Sequence, residues 1–225
     1  MKRKTQKKLV VFVCTGNTCR SPMAEYLLKR ELKRLGLRDI KVCSVGIAAK
    51  KGDVINPKSA QVLLEHGIEV GEFSSTPLTN RLLKDAFAFV CMTDRHCELL
   101  MDMRWNVLRK SGAEEIENNV WSFGDITGYD VMDPYGRDIE CYRYVYGLLE
   151  AGMSALIEKL ELKKHARIVK PRASSGTSST GKKRGRPKKE ATVTTPTPKR
   201  GRGRPKKSIE SETMEEKPEQ IRLEF

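Results

Sequence analysis

Residues 9–25 read "LVVFVCTGNTCRSPMAE", and the fold is decided by where this stretch changes character. Leu9 to Val13 is an unbroken apolar run, the pattern of a strand buried on both faces. It stops at Cys14 and passes through Gly16 and Asn17, residues that tolerate backbone angles most others avoid. Ser21-Pro22 is a helix-start signal. Met23, Ala24, Leu27, Leu28, Leu32 and Leu35 follow at helical spacing, and Gly36 offers a stop.

The strand-then-helix unit recurs. "IKVCSVGI" (40–47) predicts a second strand, and Asn56-Pro57 opens a helix that carries Val62, Leu63 and Leu64 to Gly67. Thr79 can cap a short helix leading into "AFAFVCM" (86–92), a third buried strand. A helix over 94–104 and a strand near "NVWSF" (119–123) come next. A turn-rich stretch, "GDITGYDVMDPYGRD", then precedes a long helix over 139–162. Strands alternating with helices predict an α/β domain: an open, mostly four-stranded parallel sheet with helices on both faces. The crevice of such a sheet lies beyond the carboxyl ends of its strands, where Cys14 stands.

Charge divides the chain. Its 225 residues hold 43 Lys and Arg against 29 Asp and Glu, a net charge of +14. From Pro171 onward 15 basic and 7 acidic residues put +8 of that charge in the last 55 positions. Apolar residues nearly vanish after Val169, so the tail cannot bury enough surface to offset its ordering entropy. The expected layout is a basic extension over 1–7, one domain over 8–163, and a disordered basic tail over 164–225. No apolar run reaches membrane-spanning length, and the basic start lacks a signal-peptide core. These features predict a cytoplasmic protein without a membrane partner, its six cysteines reduced. His66, His96 and His165 are scattered, and Cys91, His96 and Cys97 lack the paired spacing of a zinc site. With no glycine-rich nucleotide pattern either, neither a metal nor a cofactor is expected.

The loop after Cys14 has the chemistry of a phosphate cradle. Unpaired amides at a helix start, with the helix dipole behind them, attract anions. Gly16 and Asn17 can curl those amides into a nest, and the planar fork of Arg20 matches phosphate oxygens. The same field favours a thiolate at Cys14, a nucleophile for phosphorus.

"VCTGNTCRSPMAE" resembles the signature of the low-molecular-weight protein tyrosine phosphatases, which runs C-x-G-N-x-C-R-S-P. A second family motif, Asp-Pro, is matched by "DPYG" at Asp133-Pro134. The resemblance implies the flavodoxin-like, Rossmann-like fold of that family over 8–163 and a phosphorylated protein as substrate. It implies Cys14 as nucleophile, Arg20 as phosphate clamp and Asp133 as general acid. Thr15, Gly16, Asn17, Thr18, Cys19, Ser21 and Ser44 fall on positions that bind phosphate or hold the loop. Cys19 corresponds to the neighbour that can trap an oxidised Cys14 as a disulfide. Glu72 departs from the pattern, standing where a loop-supporting histidine is expected.

Thr18 separates branches of the family. Tyrosine phosphatases commonly carry a bulkier aliphatic residue there, and the stretch is similar to that of the bacterial protein arginine phosphatases. Thr18 leaves room for a guanidinium, which a carboxylate at Asp133 can pair. Tyr135 would flank either a tyrosine ring or an arginine stem. Phosphoarginine is the preferred substrate, with phosphotyrosine the alternative. Thioredoxin-coupled arsenate reductases share the fold and a similar loop, with Cys91 and Cys97 standing about where their relay pair belongs. Pro22 matches the phosphatases better. A catalytically dead, DNA-bound phosphate reader is disfavoured because Cys14, Arg20 and Asp133 are all intact.

In the tail, "KKRGRPKK" (182–189) and "KRGRGRPKK" (199–207) share an Arg-Gly-Arg-Pro core. Both resemble the AT-hook, which orders in the minor groove of A·T-rich DNA. Arg184, Arg186, Arg202 and Arg204 would enter the groove, while Gly185 and Gly203 allow close approach. Pro187 and Pro205 would lead the chain away, and the flanking lysines would neutralise phosphates. A·T-rich DNA is therefore an expected partner, with the nucleoid or chromatin as the address. Generic polyanion binding is the plainer alternative.

Overall fold

The computed structural model describes residues 8–113 and 116–168. β1 (Lys8–Cys14) is the middle of the architecture, with Val10, Val11, Phe12 and Val13 entirely buried. It pairs in parallel with β3 (Ile40–Gly46) on one side and β4 (Ala88–Cys91) on the other. β5 (Val120–Ser122) extends the sheet beyond β4, giving the order β3-β1-β4-β5 with every strand parallel. The chain runs outward from β1 to β3, returns across it to β4, and so makes β1 the switch point of the sheet. The parallel sheet expected from the strand and helix alternation is the one found.

Pleating sends alternate β1 side chains to opposite faces. Val10 and Phe12 pack with Met23, Leu27 and Leu28 of α1 (Arg20–Arg34) and with Tyr146 and Leu149 of α6 (Ile139–Lys159). α2 (Pro57–Glu65) adds Val62 and Leu63 to this face. Val11 and Val13 meet Leu83 of α3 (Asn80–Asp85) and Leu100 of α4 (Asp94–Lys110) on the other. Each fully buried side chain of this size stabilises the fold by roughly 1.5–3 kcal/mol relative to exposure.

Three features depart from the sequence reading. The end of the strand candidate at 119–123 and the start of the turn-rich stretch after it together form α5 (Phe123–Thr127), whose capping box joins Ser122 and Asp125 and whose end is a left-handed Gly128 at φ 81°. A boundary at 163 falls inside α7 (Leu162–His165), because Leu162 is completely buried in the core. The chain continues into β6 (Arg167–Ile168), which pairs antiparallel with β2 (Leu37–Arg38). A two-residue pair carries no periodicity to read. The basic extension over 1–7 and the AT-hook-like stretches lie outside the described residues. No helix among the described residues is long and apolar enough to cross a membrane.

Candidate active site

The loop from Thr15 to Cys19 leaves the carboxyl end of β1 and runs straight into α1. Neighbouring backbone tethers it: Ile47 N–H donates to Cys14 O at 2.9 Å, Ala48 N–H to Thr15 O at 2.9 Å, and Asn56 N–H to Thr18 O at 2.9 Å. The residue in the left-handed region is Asn17, at φ 56°, while Gly16 is not among the positive-φ glycines. Glycine is demanded instead at Gly46, where a Cβ would stand 2.5 Å from Thr15 O and 2.8 Å from Asn17 N.

Asn17 is fully buried and its side chain organises the loop. Nδ2 donates to Ser21 Oγ at 3.0 Å and to Ser44 Oγ at 2.8 Å, while Oδ1 accepts from Thr76 N–H at 2.8 Å. Ser44 in turn donates to Glu25 Oε2 at 2.5 Å. Both serines expected to support the loop are thus gathered on one amide. Glu72 is exposed, and the side-chain oxygen of Asn17 is supported by the backbone of Thr76. Cys14 Sγ accepts from Asn17 N–H at 3.2 Å and lies 3.0 Å from Ser21 Oγ.

Arg20 and Asp133 meet across 113 positions of sequence: Nη2 donates to Oδ2 at 2.6 Å. Nη1 reaches Val131 O at 3.4 Å, so one side chain pins the whole Asp133 loop to the start of α1. Arg20 is buried, whereas the Asp133 side chain is 52% exposed. Asp133 Oδ1 accepts the Tyr135 N–H at 3.2 Å, and the Tyr135 side chain stands at the surface. An anion in the cradle would compete with Asp133 for the Arg20 fork.

Two contacts escaped the sequence reading. His96, classed there with scattered histidines, lies against the loop with Nε2 2.9 Å from Thr15 Oγ1 and Nδ1 2.6 Å from Thr93 Oγ1. Burial and the nearby Arg20 charge push its pKa below the ordinary value. The available signal was local: Thr93 caps α4 and His96 is the third residue of that helix. Tyr142 is the second, its hydroxyl 3.6 Å from Cys19 Sγ, with burial pushing the Cys19 thiol up. Cys91 and Cys97 belong to the apolar cluster on the opposite face of the sheet from Cys14. The neighbouring Cys97 thiol and burial push Cys91 far up.

What the fold and the loop define is a class, the α/β phosphatases that cradle phosphate between the first strand and the first helix. The family is settled by residues 9–166, which match the low molecular weight phosphotyrosine protein phosphatases. The chain belongs to that family and is a protein phosphatase. It is 34% identical to the protein-arginine-phosphatase of Bacillus subtilis, over 68% of this chain and 96% of that one. It is 32% identical to the low molecular weight protein-tyrosine-phosphatase Wzb of Escherichia coli K12, over 63% and 87%. Among solved structures, the YwlE arginine phosphatase from Geobacillus stearothermophilus superposes with a TM-score of 0.59 at 30% identity, covering 70% of this chain and 95% of its own. Residues 181–192 and 199–211 match the AT hook motif.

Proposed function

We propose that this phosphatase hydrolyses phosphoarginine in proteins through a phosphocysteine formed at Cys14, and that its tail binds A·T-rich DNA. The phosphoryl group enters the cradle, where the loop amides and the Arg20 fork hold its equatorial oxygens. Cys14 Sγ attacks phosphorus as the P–N bond breaks, and Asp133 gives a proton to the departing guanidine nitrogen. Water then attacks the phosphocysteine, Asp133 takes a proton back, and inorganic phosphate leaves with Cys14 regenerated.

The observation that carries the substrate choice is the 2.6 Å contact of Asp133 with Arg20. The carboxylate at the mouth already grips one guanidinium, is half exposed, and has a second oxygen held by the Tyr135 amide. A substrate guanidinium is the same chemical partner. Thr18, half-buried on the same loop, is smaller than a branched aliphatic residue and so takes up less of the room a guanidinium needs. The likeness to arginine phosphatases supports this reading. The likeness to Wzb favours a second reading, phosphotyrosine, and the exposed Tyr135 ring can flank either substrate.

Phosphoarginine and phosphotyrosine peptides assayed side by side decide between them. The expected result is a higher kcat/KM on phosphoarginine, and a higher value on phosphotyrosine overturns the preference. Thr18→Ile should lower kcat/KM on phosphoarginine by about tenfold or more, roughly 1.4 kcal/mol, with a smaller loss on phosphotyrosine. Cys14→Ser should abolish turnover of both.

For the tail, the two matched motifs carry paired arginines around a glycine. This composition suits the narrow, negative minor groove of A·T tracts. Two copies on one chain gain effective concentration for each other.

A further inference from the structure

Far from the catalytic loop, a cleft of about 1230 Å³ opens where α1 ends and β1 and β3 begin. Its rim carries six cations, Lys29, Lys33, Arg34, Arg38, Lys41 and Arg167, against one carboxylate, Asp39. Three of the six are answered: Lys29 pairs with Glu25, Arg34 with Glu31 at 2.8 Å, and Arg167 with Asp39 at 3.9 Å. Lys33, Arg38 and Lys41 are exposed and have no ion pair among the described residues. Lys33 and Arg34 complement the dipole at the end of α1, a structural reason for cations there. That reason does not extend to Arg38, Lys41 and Arg167, which lie on β2, β3 and β6.

We infer that this cleft is a second contact surface for duplex DNA, seating the phosphate backbone beside an A·T tract. The inference rests on the DNA-binding reading of the tail and extends it to the folded domain. Chain length supports it. β6 lines the cleft, and the first matched AT hook starts at residue 181, thirteen positions beyond Ile168. Thirteen residues span at most about 45 Å, more than the roughly 34 Å of one turn of B-DNA. The seven residues before Lys8, including four cations and no acid, join the fold next to cleft residue Leu9. The cations suit phosphate rather than base edges, so the cleft adds affinity and salt dependence without reading sequence. Cys14 stands at the other end of β1, roughly 20 Å away along the strand.

The test uses the full chain, an A·T-rich duplex and fluorescence anisotropy across a potassium chloride series. Replacing Lys33, Arg38 and Lys41 by Gln should weaken binding about tenfold near physiological salt. The slope of log K against log salt should fall by about two to three, near 0.9 for each phosphate contact removed. Hydrolysis of a small aryl phosphate should be unchanged, showing that the domain is folded. An unaltered affinity and slope in this triple variant overturns the inference. Retention of poly-glutamate by the wild-type chain, with the same triple change abolishing it and leaving duplex binding intact, also overturns it and makes the cleft a site for acidic polypeptide. A separate variant with Arg184, Arg186, Arg202 and Arg204 replaced by Ala tests the hooks. It should lose A·T preference and keep a weaker, salt-dependent affinity that the triple change then lowers further. Undiminished A·T preference in the hook variant refutes the tail reading alone.

Discussion

His96 bridges two threonine hydroxyls, one on the catalytic loop and one capping α4, and so braces Thr15 against the start of that helix. Its environment disfavours the imidazolium, since it is buried, near Arg20, and in the first turn of a helix. With its pKa depressed below 6.5 in the fold, the unfolded chain binds more protons at acid pH. The stability this group contributes is present above its unfolded value and lost as pH falls through its folded value. Thermal melts should therefore show the wild type losing Tm below about pH 6.5 more steeply than His96→Asn. The same variant should lower kcat on a small aryl phosphate by about threefold to tenfold, roughly 0.7–1.4 kcal/mol, with KM nearly unchanged. Identical acid limbs for the two proteins would remove His96 from this role. Cys14, Arg20 and Asn17 were legible in the sequence because their spacing within one loop is itself the signal. His96 was not, because the spacing of Thr93 and His96 announces only a helix start, not contact with a loop 81 positions earlier.

The strand, loop and helix that present Cys14 depend on a neighbour, β3. Gly46 pairs with Cys14 at the carboxyl end of the sheet, and its missing side chain is where the loop backbone passes. Gly46→Ala would place a carbon 2.5 Å from Thr15 O, a contact with backbone that no side-chain rotation relieves. It should destabilise the fold by about 1–3 kcal/mol, the usual range for overpacking, measured as a fall in urea midpoint. Activity should drop as well, because the displaced backbone is the cradle. At Gly16 the nearest neighbour of an added Cβ is 3.7 Å away, an ordinary contact. Gly16 stands out in the sequence because it lies in the motif, and only the packing of β3 beneath the loop shows where glycine is required. α5 escaped for a related reason. Its five residues are too few for periodicity, although Ser122 and Asp125 stand at capping-box spacing.

At the scale of the molecule, a catalytic domain and a basic tail share one chain. Truncation after Lys170 should leave phosphatase activity intact and strongly weaken retardation of an A·T-rich duplex in a gel-shift assay, leaving only the weaker, salt-dependent binding of the cleft. Equal retardation by both forms would refute the tail's part. The amino-acid sequence alone determined the alternation of strand and helix, the position of Cys14 at a strand end, and the Cys14-to-Arg20 loop. It also set the charge division near Pro171. All of these are local, carried by periodicity, turn chemistry and composition within a few residues. Only the tertiary structure decided that Asp133 rests on Arg20, that His96 reaches Thr15, and that Cys91 and Cys97 face away from Cys14. Those facts follow from strand order. Placing β1 between β3 and β4 brings distant segments to the carboxyl end of one strand, and pleating assigns each side chain its face.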